Sequence, residues 1–150
     1  MEPCDRFDIV RINQRNVGVL DVVADDVFDD EVNDELLHAV LDNGQLLLTA
    51  IVEGAVVGQL QAMIQHHLDG APQLYIDNLG VSPLHQRRGI ARRLIQEVSL
   101  WANELGCQEA WIVTDLDNQE ANALYRSIGA QRSTVALYSV DELNPSPGDS

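Results

Sequence analysis

Apolar and polar residues nearly alternate through Phe7-Asp8-Ile9-Val10-Arg11-Ile12, the period-two pattern of a strand with one buried face. Asn16 is placed to cap a short helix running through Val17-Gly18-Val19-Leu20 and on to Ala24. From Asp34 to Leu41 the period becomes helical, with Leu36, Leu37, Val40 and Leu41 on one side and Asn43-Gly44 as a stop. Leu46 to Val52 and Val56 to Gln65 are strand-like, and Glu53-Gly54-Ala55 between them predicts a hairpin turn. His66 to Pro72 is a loop, and Leu74 to Val81 is a further strand that Pro83 ends. A long amphipathic helix follows to about Leu105. Ile90, Ala91, Leu94, Ile95, Val98, Trp101, Ala102 and Leu105 share its apolar face, and Arg92, Arg93, Gln96, Glu97, Asn103 and Glu104 its polar one. Beyond Gly106, Glu109 to Thr114 predicts a strand, Gln119 to Ile128 a helix capped by Asp117 or Asn118, and Ser133 to Val140 a final strand. Pro145, Pro147 and Gly148 mark residues 144–150 as a disordered tail. This alternation of elements is that of an α/β domain with a mixed sheet.

At 150 residues the chain suits one domain, expected over residues 1–143. No apolar run reaches the roughly 18 to 20 residues that span a bilayer. Met1-Glu2-Pro3-Cys4-Asp5 lacks the basic and then apolar segments of a secretory signal, so a cytoplasmic protein is expected. Cys4 and Cys107 form no metal or redox motif and are expected to be reduced. The adjacent His66 and His67 have no third ligand at a recognised spacing, so no metal is expected. A net charge of −15 disfavours a nucleic-acid partner, whose phosphates it would repel, and favours a cationic one. All nine basic residues are arginine, and four of them fall between Arg87 and Arg93. The span from Asp21 to Glu35 holds eight acids and no base, as a solvated face and loop or as one wall of a cation-binding cleft.

The concentrated positive charge sits where the strand ending at Val81 turns into the long helix. Gln86-Arg87-Arg88-Gly89-Ile90-Ala91 puts small residues where a ligand must approach the backbone. A helix start offers amides without intrahelical acceptors and the positive end of the helix dipole, a good site for pyrophosphate. Arg87, Arg88, Arg92 and Arg93 add charge for further phosphates.

Gln86-Arg87-Arg88-Gly89-Ile90-Ala91, after a strand ending in Asn78-Leu79-Gly80-Val81, resembles the acetyl-CoA signature of the GCN5-related N-acetyltransferases. A second match follows one strand later, from Asn118 to Ala130, with Asn118, Ala121, Leu124, Tyr125 and Gly129 on the family's preferred positions. The resemblance covers the chain from about Leu46 to Leu143. It implies a mixed, mostly antiparallel sheet of six to seven strands with a V-shaped splay, flanked by about four helices. Pantetheine would lie in the splay against the backbone of Leu79, Gly80 and Val81. Pyrophosphate would sit on the amides of Arg87 to Arg92, with Asn118, Ala121 and Leu124 completing the cofactor site. Asp77 stands where many relatives place a base, and Tyr125 where they place a phenol that serves the departing sulfur. No serine, histidine or cysteine arrangement suggests a covalent intermediate, so direct transfer in a ternary complex is expected. A homodimer is implied at the family level only.

The chain also resembles one branch, the type I aminoglycoside 3-N-acetyltransferases, in Gly54 to Gly58, His85 to Ala91, Ala123-Leu124-Tyr125 and Ser139-Val140-Asp141. Aminoglycosides carry several ammonium groups, which an acidic surface would attract. Asp29, Asp30, Glu31, Asp77, Asn78, Asp115, Asp117 and Asp141 are the candidate acceptor-side residues. That branch has Tyr-Asp before the strand leucine, where this chain has Asp77-Asn78. In a strand a shift of one residue turns the carboxylate to the opposite face, so either Asp77 performs the role from another angle, as in the wider family, or the substrate differs. A protein N-terminus, a lysine and a polyamine are the other acceptors, and an idle acetyl-CoA-binding module is the non-enzymatic alternative.

Overall fold

The computed structural model describes residues 6–143, so Cys4 and the tail expected from Asn144 lie outside the described residues. The chain divides after Asp115 into two compact units. The first unit carries a five-stranded sheet of β1 (Asp8–Arg11), β2 (Leu46–Val52), β3 (Ala55–Gln65), β4 (Gln73–Val81) and β5 (Glu109–Ile112), hydrogen-bonded in that order. Every pairing is antiparallel except β4 with β5, which is parallel. The unit also holds the helices α1 (Asp34–Asp42) and α2 (Ile90–Glu104), and α3 (Gln119–Ser127) belongs to the second unit.

Local chemistry accounts for these elements. Glu53 (φ 49°) and Gly54 (φ 82°) are both left-handed, as a two-residue hairpin matched to strand twist requires. The Asn33 side chain caps α1 by accepting from Leu36 N at 2.8 Å. In α2, Ile90, Leu94, Ile95, Val98 and Ala102 are buried, the stripe that the sequence predicts. Burying each of its large apolar side chains contributes roughly 1.5–3 kcal/mol. They pack on the sheet face that carries Gly58, where an added Cβ would come within 2.9 Å of Ile90 Cγ2 and 3.5 Å of Leu94 Cδ1. The opposite face is covered by α1 and the segment before it, through a core of Ile12, Leu37 and Leu47 flanked by Val10, Val17, Leu20 and Leu41.

Three expectations are corrected. The helix expected from Val17 to Ala24 is a 3-10 helix over Val17–Asp21, and Asn16 does not cap it. The Asn16 side chain instead ties down its own loop, accepting from Asn13 N at 2.8 Å and donating to Arg11 O at 2.9 Å. The sheet has five strands rather than six or seven among the described residues, and the α-helices number three with two short 3-10 helices. The strand expected from Ser133 to Val140 is irregular, with Val135 75%, Leu137 80% and Tyr138 87% exposed. Alternation supplies the side chains of a strand, but only a paired neighbour satisfies its amides and carbonyls, and no described segment pairs with this one.

Candidate active site

β4 organises the site. It pairs with β3 from Gln73 to Val81, but with β5 only from Gln73 to Ile76. At Ile76 and Ile112 this parallel pairing stops, as β5 ends while β4 runs on, at the place where the family resemblance puts the splay. Leu79, Gly80 and Val81 therefore keep β3 on one side, and on the other no strand covers their edge among the described residues. Such an edge offers amides and carbonyls to an extended ligand that carries amides of its own.

Asp77 sits at the start of this open segment, and the structure changes its geometry from that of a regular strand. Gln61 pairs with Asn78 and Ala62 with Ile76, so Asp77 is the extra, unpaired residue of a β-bulge. A bulge interrupts the alternation of faces and re-aims a side chain. The expected reversal of the carboxylate to the opposite face therefore does not follow, and Asp77 receives a hydrogen bond from the Tyr75 hydroxyl. Burial, then the Asp77 charge, then that hydrogen bond hold the Tyr75 phenol above its usual range. The Tyr75 ring in turn stacks on Trp111 of β5, with centroids 4.2 Å apart.

The turn after β4 has the form of an anion cradle. Gln86 Nε2 donates to the Val81 carbonyl at 3.2 Å, closing the turn back on the strand. Arg87 (φ 64°) and Gly89 (φ 82°) are both left-handed, a backbone shape that aims successive amides at one point. Gly89 is the N-cap of α2 and has no side chain to satisfy the first amides of the helix. A Cβ at Gly89 would meet no protein atom within 4 Å, so the space over the helix start is open. Ile90 is buried, Ala91 is half-buried, and Arg87, Arg88 and Arg92 are exposed on the same turn.

Beside this end of β4 lies the acidic segment. Val22 and Ala24 bond to Val56 of β3, as acceptor and donor at 2.9 and 2.8 Å, and Val27 is buried. The Gln59 side chain donates to the Val27 carbonyl at 3.2 Å, directly across from Gly80 in the β3–β4 pairing. Asp29, Asp30 and Glu31 follow immediately and are exposed. The first unit thus brings Asp77 to Val81, the cradle from Gln86 to Arg92 and the anchor of the acidic segment to one end of the sheet. Asp115, also exposed, closes this unit. A cavity of about 370 Å³ lined by His67, Asp69 and Glu109 lies at the other end of β4 and β5. His67 faces Gln73 there, Nε2 to Oε1 3.3 Å, and no group of described residues is disposed to hold a metal ion.

The second unit carries Asp117, Asn118, Ala121, Leu124, Tyr125 and Asp141. Asn118, not Asp117, caps α3, its Oδ1 accepting from Ala121 N at 3.1 Å. Leu124 and Tyr125 are half-buried on that helix, and burial pushes the Tyr125 phenol up. A neutral phenol is a hydrogen-bond donor, the form that service to a sulfur would need. Asp117 and Asp141 are exposed. Sequence reasoning passed over Gln59, Tyr75 and Trp111. For Tyr75 a signal existed, its place two residues before Asp77 on the same strand.

The Acetyltransferase (GNAT) family model matches residues 13–130. The chain belongs to this family. It is therefore an acetyltransferase, and acetyl-CoA is the donor that the open edge and the cradle of this GNAT chain fit. An aminoglycoside N(6′)-acetyltransferase type 1 of Acinetobacter haemolyticus is 28% identical over 108 residues, covering 69% of this chain and 74% of that one. The fold is similar to that of the aminoglycoside acetyltransferase meta-AAC0020 from an uncultured soil metagenomic sample in complex with sisomicin. That match has a TM-score of 0.75 and 22% identity and covers 91% of this chain and 97% of that one. AAC(6′)-Iy in complex with the bisubstrate analogue CoA-S-monomethyl-acetylneamine matches with a TM-score of 0.75 and 20% identity, over 91% of this chain and 99% of that one. The expected 3-N branch finds no support in the curated relative, whose name gives the 6′ position. Of the residues that suggested that branch, Gln86 to Ala91 carry the acetyl-CoA signature of the wider family, which holds no information about which amine is modified.

Proposed function

We propose that the protein transfers the acetyl group of acetyl-CoA to an amine of a polycationic aminoglycoside, with the 6′ amine as the position. The observation that carries this is the anchoring of an acidic segment with no base beside the open end of β4 that leads into the phosphate cradle. Carboxylates there favour an acceptor with several ammonium groups over a neutral or anionic one. The similarity to N(6′)-acetyltransferases supports both the substrate class and the position.

Bound acetyl-CoA supplies an electrophilic thioester carbonyl. The chain supplies what surrounds it. Leu79, Gly80 and Val81 hold the pantetheine arm through their backbone, and Gln86, Arg87, Arg88, Gly89, Ile90, Ala91 and Arg92 hold the pyrophosphate. Asn118, Ala121 and Leu124 are assigned to the cofactor by the family resemblance, and Tyr125 to the departing sulfur. An amine attacks only when unprotonated, so Asp77 takes its proton, directly or through water. Asp29, Asp30, Glu31, Asn78, Asp115, Asp117 and Asp141 hold the remaining ammonium groups of the acceptor.

Release of free CoA thiol measured with acetyl-CoA and a panel of aminoglycosides, polyamines and basic peptides tests the proposal, with the acetylated position read by NMR of the product. Turnover with aminoglycosides and a 6′-N-acetyl product is expected. Turnover confined to polyamines or peptides would overturn the substrate class, and acetylation of another amine would overturn the position. Tight CoA binding with no turnover on any amine would leave only a binding module.

A further inference from the structure

We propose that Gln59 is the positioning residue of the acceptor wall: with Gly80, it latches the acidic segment onto the end of β4 and so sets affinity for a polycationic acceptor. The latch rests on the aminoglycoside reading above and deepens it, since it assigns acceptor affinity to Gln59, a residue that touches no substrate.

Gln59 is fully buried in the middle of β3. It lies in a row that crosses the sheet as Val10, Thr49, Gln59 and Gly80, directly paired from strand to strand. Its Nε2 donates to the Val27 carbonyl, whereas its Oε1 is buried with no hydrogen-bond partner. Leaving a buried acceptor unsatisfied opposes folding, and a methionine of similar shape would fill the space without that cost. What glutamine adds at this position is the bond to the acidic segment.

Gly80 supplies the other half of the latch. A Cβ there would collide with the Val27 carbonyl oxygen, so only glycine lets the segment lie on β4 at this point. Asp25, Asp26, Asp29, Asp30 and Glu31 flank Val27 on both sides without a base among them. Their mutual repulsion works to spread the segment. It is tied at its start by the Val22 and Ala24 bonds to Val56 and at its end by Asn33 capping α1. Between those ties Val27 is the buried anchor, and Gln59 holds its carbonyl.

Steady-state kinetics with sisomicin, acetyl-CoA binding by calorimetry and amide hydrogen exchange test the latch in Gln59→Met and Gln59→Leu. The expected result is a sisomicin KM raised about tenfold, which is about 1.4 kcal/mol, with kcat and the acetyl-CoA Kd within about twofold. Exchange should quicken from Asp25 to Glu31 and stay unchanged in β2 and β3. A background with Asp29→Asn, Asp30→Asn and Glu31→Gln should show the raised KM already, and adding Gln59→Met to it should change KM little, because both act through the same charges. If Gln59→Met fails to fold, Gln59→Leu carries the test. An unchanged sisomicin KM in either folded Gln59 variant, or an undiminished effect in the neutralised background, would overturn the proposal. Failure of the parent enzyme to acetylate any aminoglycoside would sink the substrate reading instead, and exchange at Asp25 to Glu31 would still decide whether the latch exists.

Discussion

Gly89→Ala separates backbone strain from cofactor contact. Gly89 has φ 82°, a left-handed conformation that costs a residue with a Cβ roughly 1–2 kcal/mol. No protein atom lies within 4 Å of the added Cβ, so strain is the whole cost in the cofactor-free protein. For a chain of this size that corresponds to a Tm lower by about 2–8 °C. The same methyl group stands in the open space over the start of α2, where pyrophosphate would approach the amides. A charge-assisted hydrogen bond is worth about 1.5–3 kcal/mol, so blocking one should weaken acetyl-CoA binding by about tenfold to a hundredfold. Gly44→Ala is the matched control. Gly44 has φ 72° and equally open surroundings but follows α1, away from the cradle. Calorimetric Kd values and thermal melts of the two variants should show similar losses of stability, with acetyl-CoA affinity lost in Gly89→Ala alone. Acetyl-CoA affinity in Gly89→Ala within twofold of the parent would refute the cradle.

Asp77→Asn should lower kcat at neutral pH by about a hundredfold or more, in the range lost with a general base, with acetyl-CoA affinity unchanged; a kcat equal to that of the parent would rule Asp77 out as base. Tyr75→Phe keeps the stack on Trp111 but removes the hydroxyl that bonds Asp77, so a fall in kcat with unchanged acetyl-CoA affinity is expected in the same assays. The phenols of Tyr75 and Tyr125 are both held above their ordinary 10.0. Their contribution to stability is therefore present below about pH 10 and lost as pH rises through the raised values, and ultraviolet titration of Tyr75→Phe should lack one late-ionising phenolate. Leu94→Ala removes a fully buried side chain of α2 that packs over Gly58 and should cost about 2–5 kcal/mol in denaturant unfolding.

The sequence by itself determined what local chemistry decides. The helical period in Ile90, Leu94, Ile95, Val98 and Ala102 yields α2, because one turn of helix sets which side chains share a face. Glu53-Gly54 yields the hairpin, because few residues accept two left-handed conformations in succession. The left-handed turn at Arg87 and Gly89, on which the proposed phosphate contacts rest, is local in the same way, since Leu79 to Arg92 is one continuous stretch. Tertiary structure alone decided what depends on pairing between distant strands. The bulge that frees Asp77 comes from the register of β3 against β4, and no pattern within β4 announces it. Gln59 is a polar residue in a strand until the fold brings the Val27 carbonyl, 32 residues away in sequence, onto its amide. Residues 133–140 show the converse, a strand-like alternation that remains irregular because a strand needs a partner's amides and carbonyls, which no side-chain pattern can provide.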